Sequence, residues 1–264
     1  MPATGATIRV ATLNLLNHPN ARWREREPLV VDQARAIDAD VYAFQEVDAS
    51  GDQVERIRKA LGDEYLAVTL ANPDPASIKS LAMITRLPVL RRDACTDMEQ
   101  GDIALRIVVE AAVGAHCAVT TTHFHYEASK AGSECRRRQA EQLAAWVGKN
   151  GGRMPNVVLG DFNTSPEGAA ATWLRERFDS AYAEVHGDEP EWTHPTDLIR
   201  TLDWQLMYGQ TLPDVVPRRT VDYVFVDQNV EVDDCRMAWT EPSRDDPQLF
   251  PSDHYGLVAD LRLP

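Results

Sequence analysis

The sequence has no CxxC pair. Its four cysteines, Cys95, Cys117, Cys135 and Cys235, stand far apart, which suggests neither a zinc knuckle nor a disulfide framework; buried free thiols are the expectation. No window approaches the roughly 18–20 apolar residues of a membrane-spanning helix. The opening residues, MPATGATIRVATLNLL, carry no basic segment leading into a long apolar one. A cytoplasmic protein without a transmembrane segment is expected. Positive charge is scarce, with 27 Lys and Arg against 41 Asp and Glu and a formal net charge of −14. That balance counts against holding long nucleic acid by its phosphates, since such affinity comes mostly from Lys and Arg displacing counterions. A nuclease is not excluded, because a local basic patch or a divalent cation can supply charge at the one phosphate that reacts. Internal repeats and low-complexity linkers are also missing, and 264 residues suffice for one large core. The expectation is a single domain, 1–264, acting as a monomer.

What the chain does have is a succession of apolar runs of strand length, rich in β-branched and aromatic residues: 8–16, 41–47, 64–70, 81–85, 105–113, 116–124, 156–160, 221–226 and 255–263. Between some of them lie helical patterns at 27–38, 51–62, 133–149 and 166–178. In the third, Gln139, Leu143, Trp146 and Val147 share a face while Arg136, Arg137, Arg138 and Glu141 face elsewhere. Strands first alternate with helices and then pair with one another, which argues for α/β layers. The segment from about Asp188 to Thr220, with Pro190, Pro195, Pro213 and Pro217, reads as an elaborated loop of the kind that often carries specificity.

Polar residues recur where these strands end. Asn14 closes VATLN, Glu46 closes VYAFQE and His123 closes AVTTTH. Asp161 and Asn163 follow VVLG, Asp222 opens DYVFV, and Asp253 and His254 precede YGLVADL. Singly, each has a structural alternative: Asp161 in a Gly-Asp turn can cap its own backbone, Glu46 can close a solvent-facing strand, and Asp253-His254 can open one. Together, the hard oxygen donors Glu46, Asp161, Asn163 and Asp253 suit Mg²⁺ or Mn²⁺ far better than zinc, and no HExxH or Cys cluster competes. Such a cation suggests a phosphate ester as substrate.

The segments TLNLLN, FQEV, TTHFHYE followed by RRRQAEQL, GDFNTSP, VDYVFV and PSDHYGL, in this order from Asn14 to His254, resemble the endonuclease/exonuclease/phosphatase superfamily with the deoxyribonuclease I fold. The resemblance implies a four-layer α-β-β-α sandwich, two packed mixed β-sheets with helices outside, and an active site at one edge. It implies Glu46 as main metal ligand, helped by Asn14, Asp253 and Asp161. Asp161 and Asn163 would orient the attacking water and contact the scissile phosphate or a second metal. His254, held by Asp222, would act as general base or as electrostatic partner of the phosphate, and His123 would donate to a phosphate oxygen. Arg106 matches an arginine that precedes the strand leading to the histidine motif. The activity implied is divalent-metal-dependent hydrolysis of a phosphodiester, including a nucleic acid or nucleotide, with a phosphomonoester or a sphingomyelinase-type substrate as alternatives on the same centre.

Other features stay open. His125 shares the strand face of His123 and is either a second phosphate contact or a surface histidine; His18, His116, His186 and His194 are expected in structural or solvent roles. Arg136 to Arg138 read as a solvated helix face, partly offset by Glu134 and Glu141, with phosphate binding as the alternative for whichever arginine points to the site. Lys79 and Ser80 stand where many family members carry a glycine–asparagine pair. Trp192, Trp204 and Tyr208 are candidates for loop packing or for stacking on a substrate. Two rivals remain: a catalytically silent phosphate-binding scaffold, and a hydrolase of another type using a carboxylate pair, which would stay active in chelator.

Overall fold

The computed structural model describes residues 5–151 and 154–264. Among the described residues, twelve strands form two six-stranded sheets. The first has the order β11-β12-β1-β2-β4-β3, built from β1 (Thr7–Asn14), β2 (Val41–Val47), β3 (Leu66–Leu70), β4 (Ser80–Thr85), β11 (Glu231–Ala238) and β12 (Gly256–Arg262). The second has the order β5-β6-β7-β8-β10-β9, from β5 (Val89–Cys95), β6 (Ala104–Ala112), β7 (Ala115–His123), β8 (Asn156–Asp161), β9 (Asp179–Ser180) and β10 (Asp222–Val226). Each sheet contains one parallel pair, β1 with β2 and β7 with β8, among antiparallel neighbours.

Alternation along the strands builds the layers. Val10, Val41, Ala43, Met83, Ile107, Val119, Val157, Leu159, Val224 and Ala259 meet between the sheets in the central core. The opposite face of the first sheet, with Leu13, Tyr42 and Phe44, is covered by α1 (Trp23–Ile37) and α2 (Asp52–Leu61). That of the second, with Phe124, Phe162, Tyr223 and Phe225, is covered by α3 (Lys130–Gly151) and α4 (Ala169–Arg175). The four-layer α-β-β-α sandwich is the architecture expected, and all four cysteines are buried and free. The irregular segment holds a 3-10 turn (Asp197–Thr201) and α6 (Trp204–Tyr208), preceded by α5 (Ala181–His186).

Three strands, β5, β9 and β11, escape the hydrophobic pattern. β5 (VLRRDAC) and β11 (EVDDCRMA) are heavily charged sheet edges, β5 largely and β11 partly exposed. Charge on an edge strand blocks pairing with another chain and erases the apolar signature that identifies central strands.

Candidate active site

Both parallel pairs point their C-terminal ends to the same end of the sandwich. Within a pair the two strands end together because they run the same way, and the hydrogen bond from Asn14 Nδ2 to Asp161 Oδ2 at 3.1 Å shows that the two pairs end at the same place. Asn14 lies opposite Gln45 at the end of β1 and β2, and His123 lies opposite Asp161 at the end of β7 and β8. Asp222 begins β10 opposite Asp161. Gly160 permits the close approach of β8 to β7: its φ is 142°, and a Cβ there would lie 2.2 Å from the Thr122 carbonyl oxygen.

The inward columns change character toward this end. Below the site, Gln45 Nε2 donates to Thr121 Oγ1 at 2.8 Å and Thr12 Oγ1 at 3.0 Å, tying the two sheets together. One step further along the same columns stand Asn14, His123 and Asp161. Glu46 breaks the alternation, which would send it outward with Phe44. A left-handed φ of 51° and the irregular register between Gln45 and Val47 turn it back to the site. Asn14 Nδ2 then donates to Glu46 Oε1 at 3.0 Å and to Asp161 Oδ2 at 3.1 Å, while Asn14 Oδ1 accepts from the Leu16 amide at 2.9 Å.

The stretch GDFN behaves partly as alternation predicts. Phe162 points outward among Phe124, Tyr223 and Phe225. Asn163 returns to the side of Asp161 through a left-handed φ of 49°, not through extended backbone. Its amide donates to Asp161 Oδ1 at 2.9 Å, and its side chain lies 3.0 Å from His123 Nε2 and donates to the Phe124 carbonyl at 3.1 Å. His123 Nε2 is also 3.3 Å from Asp161 Oδ2.

The His254 ring is held by Asp222, with Nδ1 2.9 Å from Oδ2, and its Nε2 faces Asp161 Oδ2 at 3.8 Å. Burial works against charge on this imidazole, but the Asp222 carboxylate, with Asp253 and Asp161 beyond, lifts its pKa to about 10. The buried His123 goes the other way, down to about 3, because burial and the charges of Lys79 and His254 outweigh Asp161. Burial raises the Glu46 carboxyl to about 7, and the nearby Asp253 charge adds to the rise. Burial would raise Asp253 too, yet His194, His254 and Arg26 hold it below the usual carboxylate range.

The structure therefore brings together Asn14, Glu46, His123, Asp161, Asn163, Asp222, Asp253 and His254. It does not bring Arg106 there. On β6, Leu105 and Ile107 face the central core, so Arg106 faces outward beneath α3, where it pairs with Asp93 at 3.1 Å and lies 4.4 Å from the Trp146 ring. His125 is turned toward Glu127, 3.5 Å away. Arg137 and Arg138 pair with Glu141 and Glu99 as a solvated face would, but Arg136 is buried and donates to the carbonyls of His125 and Glu127.

Three residues of the site neighbourhood lacked a sequence signal. His194 lies 3.7 Å from Asp253 Oδ2, and its ring is tilted 45° against that of His254 with centroids 4.5 Å apart. Thr193 Oγ1 accepts from the amides of Val221 and Asp222, anchoring the start of β10. Arg26, fully buried on α1, donates to the carbonyls of Leu15, Leu16, Ala21 and Pro251, so it ties the turn after Asn14 to the segment before Asp253. A histidine inside an irregular segment and an arginine in a charged helix offer no periodicity that marks them as buried.

The donor set suits a hard divalent cation. Glu46 Oε2 and Asp222 Oδ1 are buried carboxylate oxygens without a hydrogen-bond partner, and buried polar atoms are rarely left so. Two groups of side chains, His194 with Asp253 and His254, and Asp161 with Asp222 and His254, hold donor atoms within 4.8 Å of one another.

The sequence model of the endonuclease/exonuclease/phosphatase family matches residues 11–254. The chain belongs to this family. No curated protein matches the sequence. Among solved structures, an endonuclease/exonuclease/phosphatase from Bacteroides vulgatus is similar at 20% identity over 98% of this chain and 99% of that one, with a TM-score of 0.76. The human Nocturnin catalytic domain with bound sulfate anion is similar at 20% identity over 98% and 94%, TM-score 0.75. D. rerio TDP2 complexed with single-strand DNA product follows at 18% identity over 97% and 99%, TM-score 0.75. These likenesses establish the shared endonuclease/exonuclease/phosphatase fold. Members of the family are hydrolases acting on phosphoester bonds.

Proposed function

We propose that the protein is a Mg²⁺- or Mn²⁺-dependent phosphodiesterase that hydrolyses its substrate by in-line attack of water. The observation that supports it most is the gathering of four carboxylates, Glu46, Asp161, Asp222 and Asp253, around two imidazoles at one sheet end, with oxygens of Glu46 and Asp222 left unpartnered. Glu46, Asn14 and Asp253, with Asp161 beside them, would hold the metal. A bound divalent cation supplies charge neutralisation at the phosphate and at the oxygen that leaves.

The protein side chains do the rest. Asp161, fixed by the Asn163 amide and Asn14, orients the water for attack. Asn163 and His123, fixed by each other and by the Phe124 carbonyl, line the place of the phosphate. His254, held by Asp222 with its pKa lifted, stabilises the phosphoryl oxygens electrostatically, and Asp161 accepts the proton that the attacking water gives up. The DNA product bound to the similar D. rerio TDP2 supports a nucleic-acid phosphodiester as the substrate class.

The test is hydrolysis of bis-p-nitrophenyl phosphate and p-nitrophenyl phosphate with Mg²⁺, Mn²⁺ or EDTA, for wild type, Glu46→Ala and His254→Ala. Diester cleavage that needs metal and is lost in both variants is expected. Activity surviving in EDTA overturns the reading, and so does a wild type that binds no metal.

A further inference from the structure

Arg219 is an unusual cation in this acidic chain. The backbone of Arg219 bridges that of His194 in antiparallel fashion, each amide donating to the other's carbonyl, at 3.0 and 2.8 Å. Residues directly opposite in an antiparallel pair project to the same face, with Cβ atoms about 5 Å apart. His194 faces Asp253 and His254, so Arg219 rises beside the centre on that face. It is half-buried, and among the described residues no carboxylate pairs with it, although acidic residues outnumber basic ones by 41 to 27. Its neighbour Arg218 is already stacked 4.2 Å from the Trp192 ring.

Arg136, on α3, is anchored to the backbone that follows His123. It is 8% exposed, its Nη1 is used by two carbonyls, and its Nε is buried with no partner. It also has no carboxylate partner within ion-pair distance, and after burial the charge of Arg219 is the strongest influence depressing its pKa. Two arginines that sense each other, one with a desolvated donor left open, form a costly arrangement that an anion relieves. A phosphate matches guanidinium geometry with charge-assisted hydrogen bonds.

We propose that Arg219, backed by Arg136, is a subsite for a second phosphate of the substrate, next to the scissile diester, as supplied by the neighbouring link of a single-stranded nucleic acid. This rests on the phosphodiesterase reading of the centre. It reconciles a net charge of −14 with a polyanionic substrate: the contact is local, at one or two phosphates, and no long basic track is needed.

The experiment compares a short single-stranded oligonucleotide with bis-p-nitrophenyl phosphate, which has no second phosphate, for wild type, Arg219→Gln, Arg219→Lys and the charge control Arg92→Gln on the β5 edge. The expected result is a KM for the oligonucleotide raised about tenfold in Arg219→Gln, partly restored in Arg219→Lys and unchanged in the control. Diester hydrolysis by Arg219→Gln stays within about twofold of wild type. Binding of the fluorescent strand in EDTA is expected to lose about 0.7 from its log–log salt slope, the share of one phosphate contact on a single strand. Equal losses on both substrates overturn the proposal, as does an unchanged oligonucleotide KM. A wild type that cleaves the simple diester but not the strand overturns it while leaving the centre intact; a wild type that cleaves neither counts against the centre.

Discussion

Replacing Glu46 by Gln separates a metal ligand from a structural carboxylate without any knowledge of the substrate. The amide keeps the Oε1 acceptor used by Asn14 and places its NH₂ where Oε2 has no partner. Glu46 is raised from an ordinary 4.5 to about 7 by burial and by Asp253. The folded state therefore holds a proton that the unfolded chain has already released, and stability falls as pH rises from 4.5 through 7. Above that window the buried charge destabilises the metal-free protein by at most about 3 kcal/mol, at about 1.4 kcal/mol per pH unit. Gln carries no such penalty. In EDTA at about pH 8 the variant should be the more stable by up to about 3 kcal/mol, and at about pH 5 the gap should shrink below about 1 kcal/mol. Adding Mg²⁺ or Mn²⁺ at the higher pH should reverse the order, since a ligand at about a thousand times its Kd stabilises wild type by about 4.1 kcal/mol, which exceeds the gap, and the variant much less. Urea denaturation followed by tryptophan fluorescence reads all of these. A variant less stable than wild type by the same amount at both pH values, indifferent to metal, would refute the reasoning and make Glu46 a structural hydrogen-bond acceptor.

Asp222→Asn removes the charge that lifts His254 to about 10; kcat on bis-p-nitrophenyl phosphate should fall by about 10²–10³. The alkaline limb of its pH–rate profile should move from near 10 toward the ordinary histidine range near 6.5, and a limb that stays put would show that His254 charge is irrelevant. Arg26→Met strands the carbonyls of Leu15, Leu16, Ala21 and Pro251, so urea melts should show a loss of about 3–5 kcal/mol. Lys79→Met leaves Asp102 charged and buried after loss of its 2.8 Å partner, a cost of about 3–5 kcal/mol that Lys79→Met with Asp102→Leu should largely recover; a double variant as unstable as the single would argue against the ion-pair account.

Continuous apolar runs rich in β-branched and aromatic residues located every central strand, because those strands are buried on both faces, between a helix layer and the opposing sheet. The same cue is silent at β5 and β11, whose charged side chains face water. At the site, the strand-end polar residues were legible because they terminate apolar runs. Arg106 was expected at the site only from the resemblance: its motif position says which strand it occupies, not that its face of β6 lies under α3. Arg136 was read as solvated because its neighbours are, yet the helix turns it inward to the backbone after His123. Lys79, where many relatives carry a different pair of residues, braces that same stretch by donating to the Phe124 carbonyl at 3.0 Å.

The centre and the core are one surface with two chemistries. Along each inward column the side chains pass from apolar residues to the Thr12–Gln45–Thr121 hydrogen bonds and then to the carboxylates and imidazoles. Precision at the end of the column therefore comes from packing beneath it. Where the chemistry asks for a side chain the column cannot deliver, the backbone departs from extended geometry: Glu46 and Asn163 adopt left-handed φ, and neither is glycine. Such conformations cost about 1–3 kcal/mol each and persist only when surrounding contacts overdetermine them. Here Asn14, His123 and the Phe124 carbonyl hold both side chains in place. Among the described residues five other non-glycine positions, Leu16, Arg22, Asp38, Gln100 and Trp239, also take left-handed φ, so strain alone does not mark the candidate site; at Glu46 and Asn163 the strand rule fails because contacts there hold the side chains.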